Sequence, residues 1–376
     1  MEYSEGKQLT LAGLDQVSSI RENAVNADYS VEFADVLAML IDRRDLAAEQ
    51  MRFVMGEMMA ARYREAEVAA LLTALRMKGE SEVEIAAAAM VLREHMIPLE
   101  TGRTDVLDTC GTGGDGSSTF NISTAAALVT AGAGVPVVKH GNRAVSSHSG
   151  SADVLAELGV VVEGGVSWAR RCLDEAGLAF CFAPHFHPAL KHLAALRRRL
   201  RIRTLFNCLG PLANPAAAPY QLLGVGRPEL LDPLAGALAR LGTKHAFLVW
   251  SRDGLDEVSL SAVTLVREVR NGSVSQWEWT PADFGLAPCS LAELRADGPK
   301  ESAAVIQGVL EGVDGPARRM VLANTAAALL AAERVTTIQE GLARAAESLD
   351  SGRARQVLDR LRVCPIETSA RPGPAS

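Results

Sequence analysis

From Val31 onward apolar residues recur with a helical period: Phe33, Val36, Leu37, Leu40 and Ile41 stand at i, i+3, i+4, i+7 and i+8, one stripe along one helix. Three more helical segments are predicted before Pro98. Gly79 is placed as a C-terminal stop, and Ser81 with Glu84 forms a capping box that opens a segment running to about Met96. The first hundred residues therefore read as a small all-helical unit. After Arg103 the pattern changes to short β-rich runs at 106–107, 135–138, 160–162, 179–182, 222–225 and 246–250, separated by Ala-rich helical stretches. Alternation of this kind predicts an α/β fold with a mostly parallel sheet flanked by helices, and places the chemistry on loops that follow the strands. Residues 1–30 and 366–376 lack a sustained period, so both are expected as loose ends: a flexible extension and a disordered tail.

Composition narrows the class. The 376 residues carry 38 Lys+Arg against 45 Asp+Glu, a net charge of -7, with 48% hydrophobic and 22% charged residues. This is a globular composition with length for two domains, and its acidic balance argues against a general nucleic-acid binder. The uncharged stretch 120–138 contains Asn121, Ser123, Thr124 and Thr130 and is not Leu-rich, so it fails as a membrane span. Six scattered cysteines with no CxxC pair read as reduced, mostly buried thiols, and the first residues lack an apolar signal core. A cytoplasmic location is expected.

The densest chemical signal is the segment from Asp108 to Thr124, a strand end followed by four glycines within six residues and then a helix start. Backbone N–H groups of such a loop can surround an anion, and Ser123 or Thr124 adds donors at the positive end of the helix. Gly111, Gly113 and Gly116 satisfy GxGxxG, but no acidic residue stands about 20 residues on to hold a ribose hydroxyl. Ser117 occupies the place where a Walker A loop needs Lys. A second loop, Lys139-His-Gly-Asn-Arg-Ala-Val-Ser-Ser147, gathers two cations, an imidazole and several donors after the run 135–138. Two donor-rich loops after two strands suit a ligand with several phosphates. Asp256 and Glu257 are adjacent carboxylates after the run 246–250, a pair most often found on a plain surface. The run from Arg197 to Arg203 would ordinarily suggest an electrostatic patch.

Taken together, GTGGDGSSTFNIST, KHGNRAVSSHSGSADVL, Phe182-Ala-Pro-His-Phe-His-Pro-Ala189, Arg203-Thr-Leu-Phe-Asn-Cys-Leu-Gly-Pro211 with Asn214-Pro215, and Asp253-Gly-Leu-Asp-Glu257 closely resemble the anthranilate phosphoribosyltransferase family. The resemblance extends from about Val31 to about Val363. It implies transfer of a phosphoribosyl group from phosphoribosyl pyrophosphate to the amine of anthranilate, in tryptophan biosynthesis. It also implies a helical domain of residues 31–100 with about 190–212, and an α/β domain of 101–189 and 213–365.

By the same resemblance, phosphoribosyl pyrophosphate is expected at Gly111, Gly114, Asp115, Thr119, Asn121, Ile122, Ser123 and Thr124. Its pocket would be completed by Lys139, His140, Gly141, Asn142, Arg143, Ala144, Val145, Ser146, Ser147 and Ser151. Arg197 is implied as the clamp for the anthranilate carboxylate, with Gly111, Asn142, His187 and Pro211 nearby. Asp256, Glu257 and Ser123 resemble ligands for two Mg²⁺ ions per subunit. His185, His187 and His192 are not read as a metal cluster. A homodimer through the helical domain is implied, which the Met- and Ala-rich faces of residues 45–61 permit unless they are core. Relatives commonly have Gly where this chain has Arg201, and Thr where it has Ala213. Two alternatives stand beside this reading, a silent homologue that binds nucleic acid or a regulator and a pyrimidine nucleoside phosphorylase-like enzyme.

Overall fold

The computed structural model describes residues 32–144 and 149–365; the two loose ends expected from the sequence fall outside them. Four helices open the chain: α1 (Phe33–Ile41), α2 (Ala48–Met59), α3 (Glu65–Lys78) and α4 (Glu82–Glu94). Val36 and Leu40 of the α1 stripe are buried, whereas Ile41, the last residue of the helix, is 68% exposed. Gly79 ends α3 at φ 89°, a left-handed conformation that costs glycine nothing. The capping box forms as expected: Glu84 N–H donates to Ser81 Oγ at 3.3 Å, and Ser81 N–H donates to Glu84 Oε2 at 2.8 Å. Met51, Met55, Met58 and Met59 are all buried, so the Met-rich face of α2 is core.

The α/β body begins with β1 (Leu107–Gly111), α5 (Ile122–Gly132), β2 (Val137–Gly141), α6 (Ser151–Glu157), α7 (Gly165–Ala176) and β3 (Leu178–Phe182). A helical excursion follows: α8 (Ala183–Phe186), α9 (Ala194–Leu200) and α10 (Leu205–Leu212). The chain then returns through β4 (Tyr220–Gly224), α11 (Leu231–Arg240), β5 (His245–Ser251), β6 (Thr264–Arg270) and β7 (Ser273–Trp279). It closes with α12 (Pro281–Phe284), α13 (Pro299–Leu310), α14 (Pro316–Ala331), α15 (Ile338–Asp350) and α16 (Arg353–Val363).

The seven strands form one sheet in the order β3-β2-β1-β4-β5-β6-β7, parallel from β3 to β5 and antiparallel thereafter. Chain order reverses between β1 and β4, and such a switch point opens a crevice at the carboxyl ends of the strands. Side chains alternate across the sheet: Leu222, Phe247 and Val249 face a core shared with α5, α7, α14 and α16. Leu223, Ala246 and Leu248 face a second core built with the opening helices and α9 to α11. Burial of these two apolar faces is the dominant favourable term in folding.

Two sequence expectations change. The run 160–162 is not a strand; Val160 and Val162 are buried on an extended connector between α6 and α7, which explains their apolar character without strand pairing. The β6–β7 hairpin was not anticipated. Its turn is Asn271-Gly272, both at positive φ (48° and 82°), the pairing that two-residue hairpin turns require.

Candidate active site

A cavity of about 870 Å³ opens at the switch point, within the size range of small-molecule sites. Its lining joins the loops after β1, β2, β3 and β5 to residues of α9 and α10. Gly111, Gly114, Asp115, Thr119, Asn121, Ile122 and Ser123 all face it, as do Lys139, His140, Gly141, Asn142, Arg143, Ala144 and Ser151. So do His187, Arg197, Pro211, Asp256 and Glu257. Thr124 does not: it is buried in the first turn of α5 and is absent from the lining. Val145, Ser146 and Ser147 lie outside the described residues.

The floor is built by close approach of main chain. Gly111 and Gly224, the last residues of β1 and β4, pair in register. A Cβ on Gly224 would stand 1.8 Å from the carbonyl oxygen of Asp256, so the carboxylate loop can rest on the strand ends only because a hydrogen is there. Ser123 N–H, at the start of α5, donates to Glu257 Oε1 at 3.0 Å. Lys139 Nζ donates to the Thr109 carbonyl and, at 3.2 Å, to Ser123 Oγ, which plants an ammonium beside the helix start.

Beneath it Asp108 is fully buried and accepts from Asn214 Nδ2 at 2.8 Å and His140 N–H at 3.3 Å. Burial pushes its carboxyl up to about 6, against the pull of Asn214 and Lys139. Burial raises Asp256 well above the carboxylate range, with Asp115 adding repulsion, and raises Glu257 likewise, with Asp256 adding repulsion. Three acidic oxygen donors with too little positive charge among them suit a hard dication. Among the described residues no group of three or more His, Cys, Asp or Glu side chains converges as a complete metal cage. An ion held here would need further oxygens from substrate phosphates and water, which is the habit of Mg²⁺.

The opposite wall differs in chemistry. Arg197 stacks over the Phe206 ring at 5.2 Å to its centroid, and no carboxylate among the described residues pairs with it. Burial lowers its pKa, leaving a desolvated guanidinium fork available to an anion. His140 Nδ1–H donates to the Gly210 carbonyl at 2.8 Å and His187 Nε2–H to the Ala213 carbonyl at 3.1 Å. Because carbonyls only accept, those bonds assign the tautomers and leave His140 Nε2 and His187 Nδ1 as lone-pair acceptors without partners. Burial depresses the two imidazoles to about 3 and about 4, so both are neutral at pH 7. His192 Nε2–H instead donates to the Met58 carbonyl at 3.0 Å, and His185 packs edge-on against Phe182. The three histidines of this region thus serve separate partners.

Among the lining residues that the sequence reading did not assign to the site are Arg203, Phe206, Asn207 and Lys191. Arg203 is the most consequential. Its guanidinium donates to the Gly113 carbonyl and, at 3.4 Å, to the Thr112 carbonyl, and occupies the space that a Cβ on Gly114 would fill. Its place in the Arg203-Thr-Leu-Phe motif was the available signal, but the charge run beside it read as surface.

A helical unit docked on a mostly parallel sheet, with phosphate-type loops and buried carboxylates at the strand ends, defines a glycosyl transferase that handles phosphorylated substrates. In agreement, residues 34–96 match the helical bundle domain of the glycosyl transferase family and residues 103–355 match its a/b domain. The anthranilate phosphoribosyltransferase of Symbiobacterium thermophilum is 50% identical over 327 residues, 87% of this chain and 96% of that protein. That of Thermomicrobium roseum is 51% identical over 332 residues, 87% and 95%. Among solved structures, the Thermus thermophilus enzyme superposes with TM-score 0.82 at 42% identity, covering 87% of this chain and 98% of that one. The Saccharomyces cerevisiae enzyme, in complex with PRPP and Mg, superposes with TM-score 0.75 at 29% identity, covering 92% and 97%. This chain belongs to the anthranilate phosphoribosyltransferase family.

Proposed function

We propose that the protein transfers the phosphoribosyl group of phosphoribosyl pyrophosphate to the amino group of anthranilate, giving N-(5-phosphoribosyl)anthranilate and pyrophosphate in tryptophan biosynthesis. The observation that carries this reading is the division of one cavity into two chemistries. On the floor are the glycine-rich loop, Lys139 and the carboxylates Asp256, Glu257 and Asp115; on the wall are Arg197, which no carboxylate among the described residues pairs, and two neutral imidazoles. The first suits a pyrophosphate with its metal, the second a small aromatic acid with an N–H to donate.

In this reading the backbone and side chains from Gly111 to Ser123, with Lys139 to Ala144 and Ser151, hold the ribose phosphate and pyrophosphate. Asp256 and Glu257, with Ser123 Oγ, hold Mg²⁺, two ions per subunit; bound there, the metal offsets negative charge on the leaving pyrophosphate. Arg197 takes the anthranilate carboxylate as a bidentate pair, with Gly111, Asn142, His187 and Pro211 around the ring. The orphaned acceptor nitrogens of His140 and His187 suit the arylamine N–H. No strong base is required, because an arylamine is neutral at pH 7. The rate then comes from holding the amine within about 3–3.5 Å of the ribose carbon and from stabilising developing charge. Packing of α9 against α3, and of α10 against α3 and α4, supports the domain division 31–100 with 190–212 against 101–189 with 213–365. The exposed apolar side chains Ile41 and Met77 on the helical unit support a homodimer through that unit.

The direct test mixes purified protein with anthranilate, phosphoribosyl pyrophosphate and Mg²⁺ and follows loss of anthranilate fluorescence. Fluorescence that stays constant with all three present, or decays equally with EDTA in place of Mg²⁺, rejects the reading.

A further inference from the structure

Glu80, on the turn between α3 and α4, is 4% exposed, and among the described residues no other residue donates a hydrogen bond to either of its carboxylate oxygens. A buried, unpartnered carboxylate is costly and rare in native proteins. The opposite charge it lacks is close by. Arg227, after β4, also has a buried guanidinium nitrogen, Nη1, with no hydrogen bond among the described residues; that same nitrogen makes a loose 3.5 Å approach to the exposed Glu229. Arg227 acts on the Glu80 carboxyl as an opposite charge, ahead of Arg76, and all three with Arg203 act electrostatically on the buried Cys208 thiol.

Arg227 stands next to a residue that touches the glycine-rich loop. Gly226, the neighbour of Arg227, donates its N–H to Thr112 Oγ1 at 2.9 Å, and a Cβ on it would stand 2.4 Å from the Gly113 carbonyl oxygen. Arg203 donates to the Gly113 carbonyl as well, and to the Thr112 carbonyl, and feels Arg227 as a like charge. Any shift of Arg227 is therefore carried by backbone contact into the loop, and a shift toward Glu80 satisfies a buried acceptor and a buried donor together.

We infer that Glu80 and Arg227 form an ionic latch that positions the glycine-rich loop: Arg227 leaves Glu229 and pairs with Glu80 when the loop takes up its substrate. Both are positioning residues that act through Gly226 on Thr112 and Gly113. The latch rests on the reading of the cavity as a phosphoribosyl transfer site.

The test compares wild type with Glu80→Gln, Arg227→Gln, Arg227→Lys and the Glu80→Gln/Arg227→Gln double variant. It measures steady-state kinetics, thermal melting, and hydrogen exchange of residues 111–121 with and without magnesium phosphoribosyl pyrophosphate. Each Gln variant should lose about tenfold in kcat/KM for phosphoribosyl pyrophosphate, and the double should be no worse than either single, the mark of a coupled pair. Ligand-induced protection of 111–121 should fall in the Gln variants and be better kept in Arg227→Lys. Glu80→Gln should melt higher than wild type without ligand, since it removes an orphaned buried charge, yet turn over more slowly. Additive losses, or wild-type kinetics and protection in the Gln variants, overturn the latch. If Glu80→Gln does not fold, the Arg227 pair of variants decides on its own: equal protection in Gln and Lys overturns the latch. A wild type that neither turns over nor gains protection overturns the functional reading and the latch with it.

Discussion

The backbone N–H of Ser123 donates to Oε1 of Glu257 at 3.0 Å, which ties the start of α5 to a carboxylate 134 residues further along the chain. An anion at a helix N-terminus meets unsatisfied N–H groups and the positive end of the helix dipole. The bond thus sets one carboxylate of the pair in place and leaves Asp256 and the remaining Glu257 oxygen for the metal proposed above.

The metal-free protein should lose stability as pH rises from about 6.5 to about 8. Burial raises Asp256 and Glu257 above their unfolded values of about 4, so the folded state holds more protons and its advantage shrinks as pH climbs through the raised values. His140 and His187 are depressed and act with the opposite sign, but only below their unfolded pKa of about 6.5. Melting temperatures in EDTA across this window check the sign, and Mg²⁺ with pyrophosphate should flatten the slope. A melting temperature that climbs with pH in EDTA contradicts the assignment, whereas Asp256→Asn with Glu257→Gln should remove both the slope and the Mg²⁺-dependent turnover.

Arg197→Ala should lower kcat/KM for anthranilate on the order of 10²-fold, about 2.7 kcal/mol, while the affinity for phosphoribosyl pyrophosphate barely changes. Among the described residues the guanidinium has no carboxylate partner to leave behind, so its loss should remove the proposed substrate contact without orphaning an internal partner. Equal weakening toward both substrates would reject the clamp.

Gly224→Ala should damage the carboxylate loop through β4. The new methyl would meet the Asp256 carbonyl at 1.8 Å, so the loop must move or the strand must yield, at a cost of about 1–3 kcal/mol. Turnover should fall at least tenfold and the Mg²⁺ concentration for half-maximal rate should rise. An alanine variant with wild-type Mg²⁺ dependence would show that the strand end does not set the loop.

Arg201 caps α9 in the left-handed conformation, φ 51° and ψ 21°, where a side chain is strained. This gives a physical reason for the Gly that the family resemblance implies at that place. Arg201→Gly should raise the unfolding free energy by about 1 kcal/mol, measured by urea titration, if strain relief exceeds the added freedom of the unfolded chain. A variant less stable than wild type would mean that Arg201 makes contacts worth more than its strain.

Much of this molecule can be read from local pattern, because the physics behind it is local. The α1 stripe, the Ser81–Glu84 box and the Gly79 stop each depend on residues within about two turns of one another, and the glycine cluster at 111–116 announces backbone that a Cβ would obstruct. The Asn271-Gly272 turn was equally legible and was passed over, while Val160 and Val162 mimicked a strand because burial, not pairing, selected them. The tertiary structure alone decided which charges meet. Asn214 reaches Asp108 across 106 residues, Ser123 reaches Glu257 across 134, and Arg203 lies under a loop 90 residues earlier. Burial sets the carboxyl of Asp108, the imidazoles of His140 and His187 and the acidic pair away from their ordinary pKa values. Burial depends on what packs above a residue, and for these residues the packing comes from segments far away in the chain, whose approach no local spacing encodes.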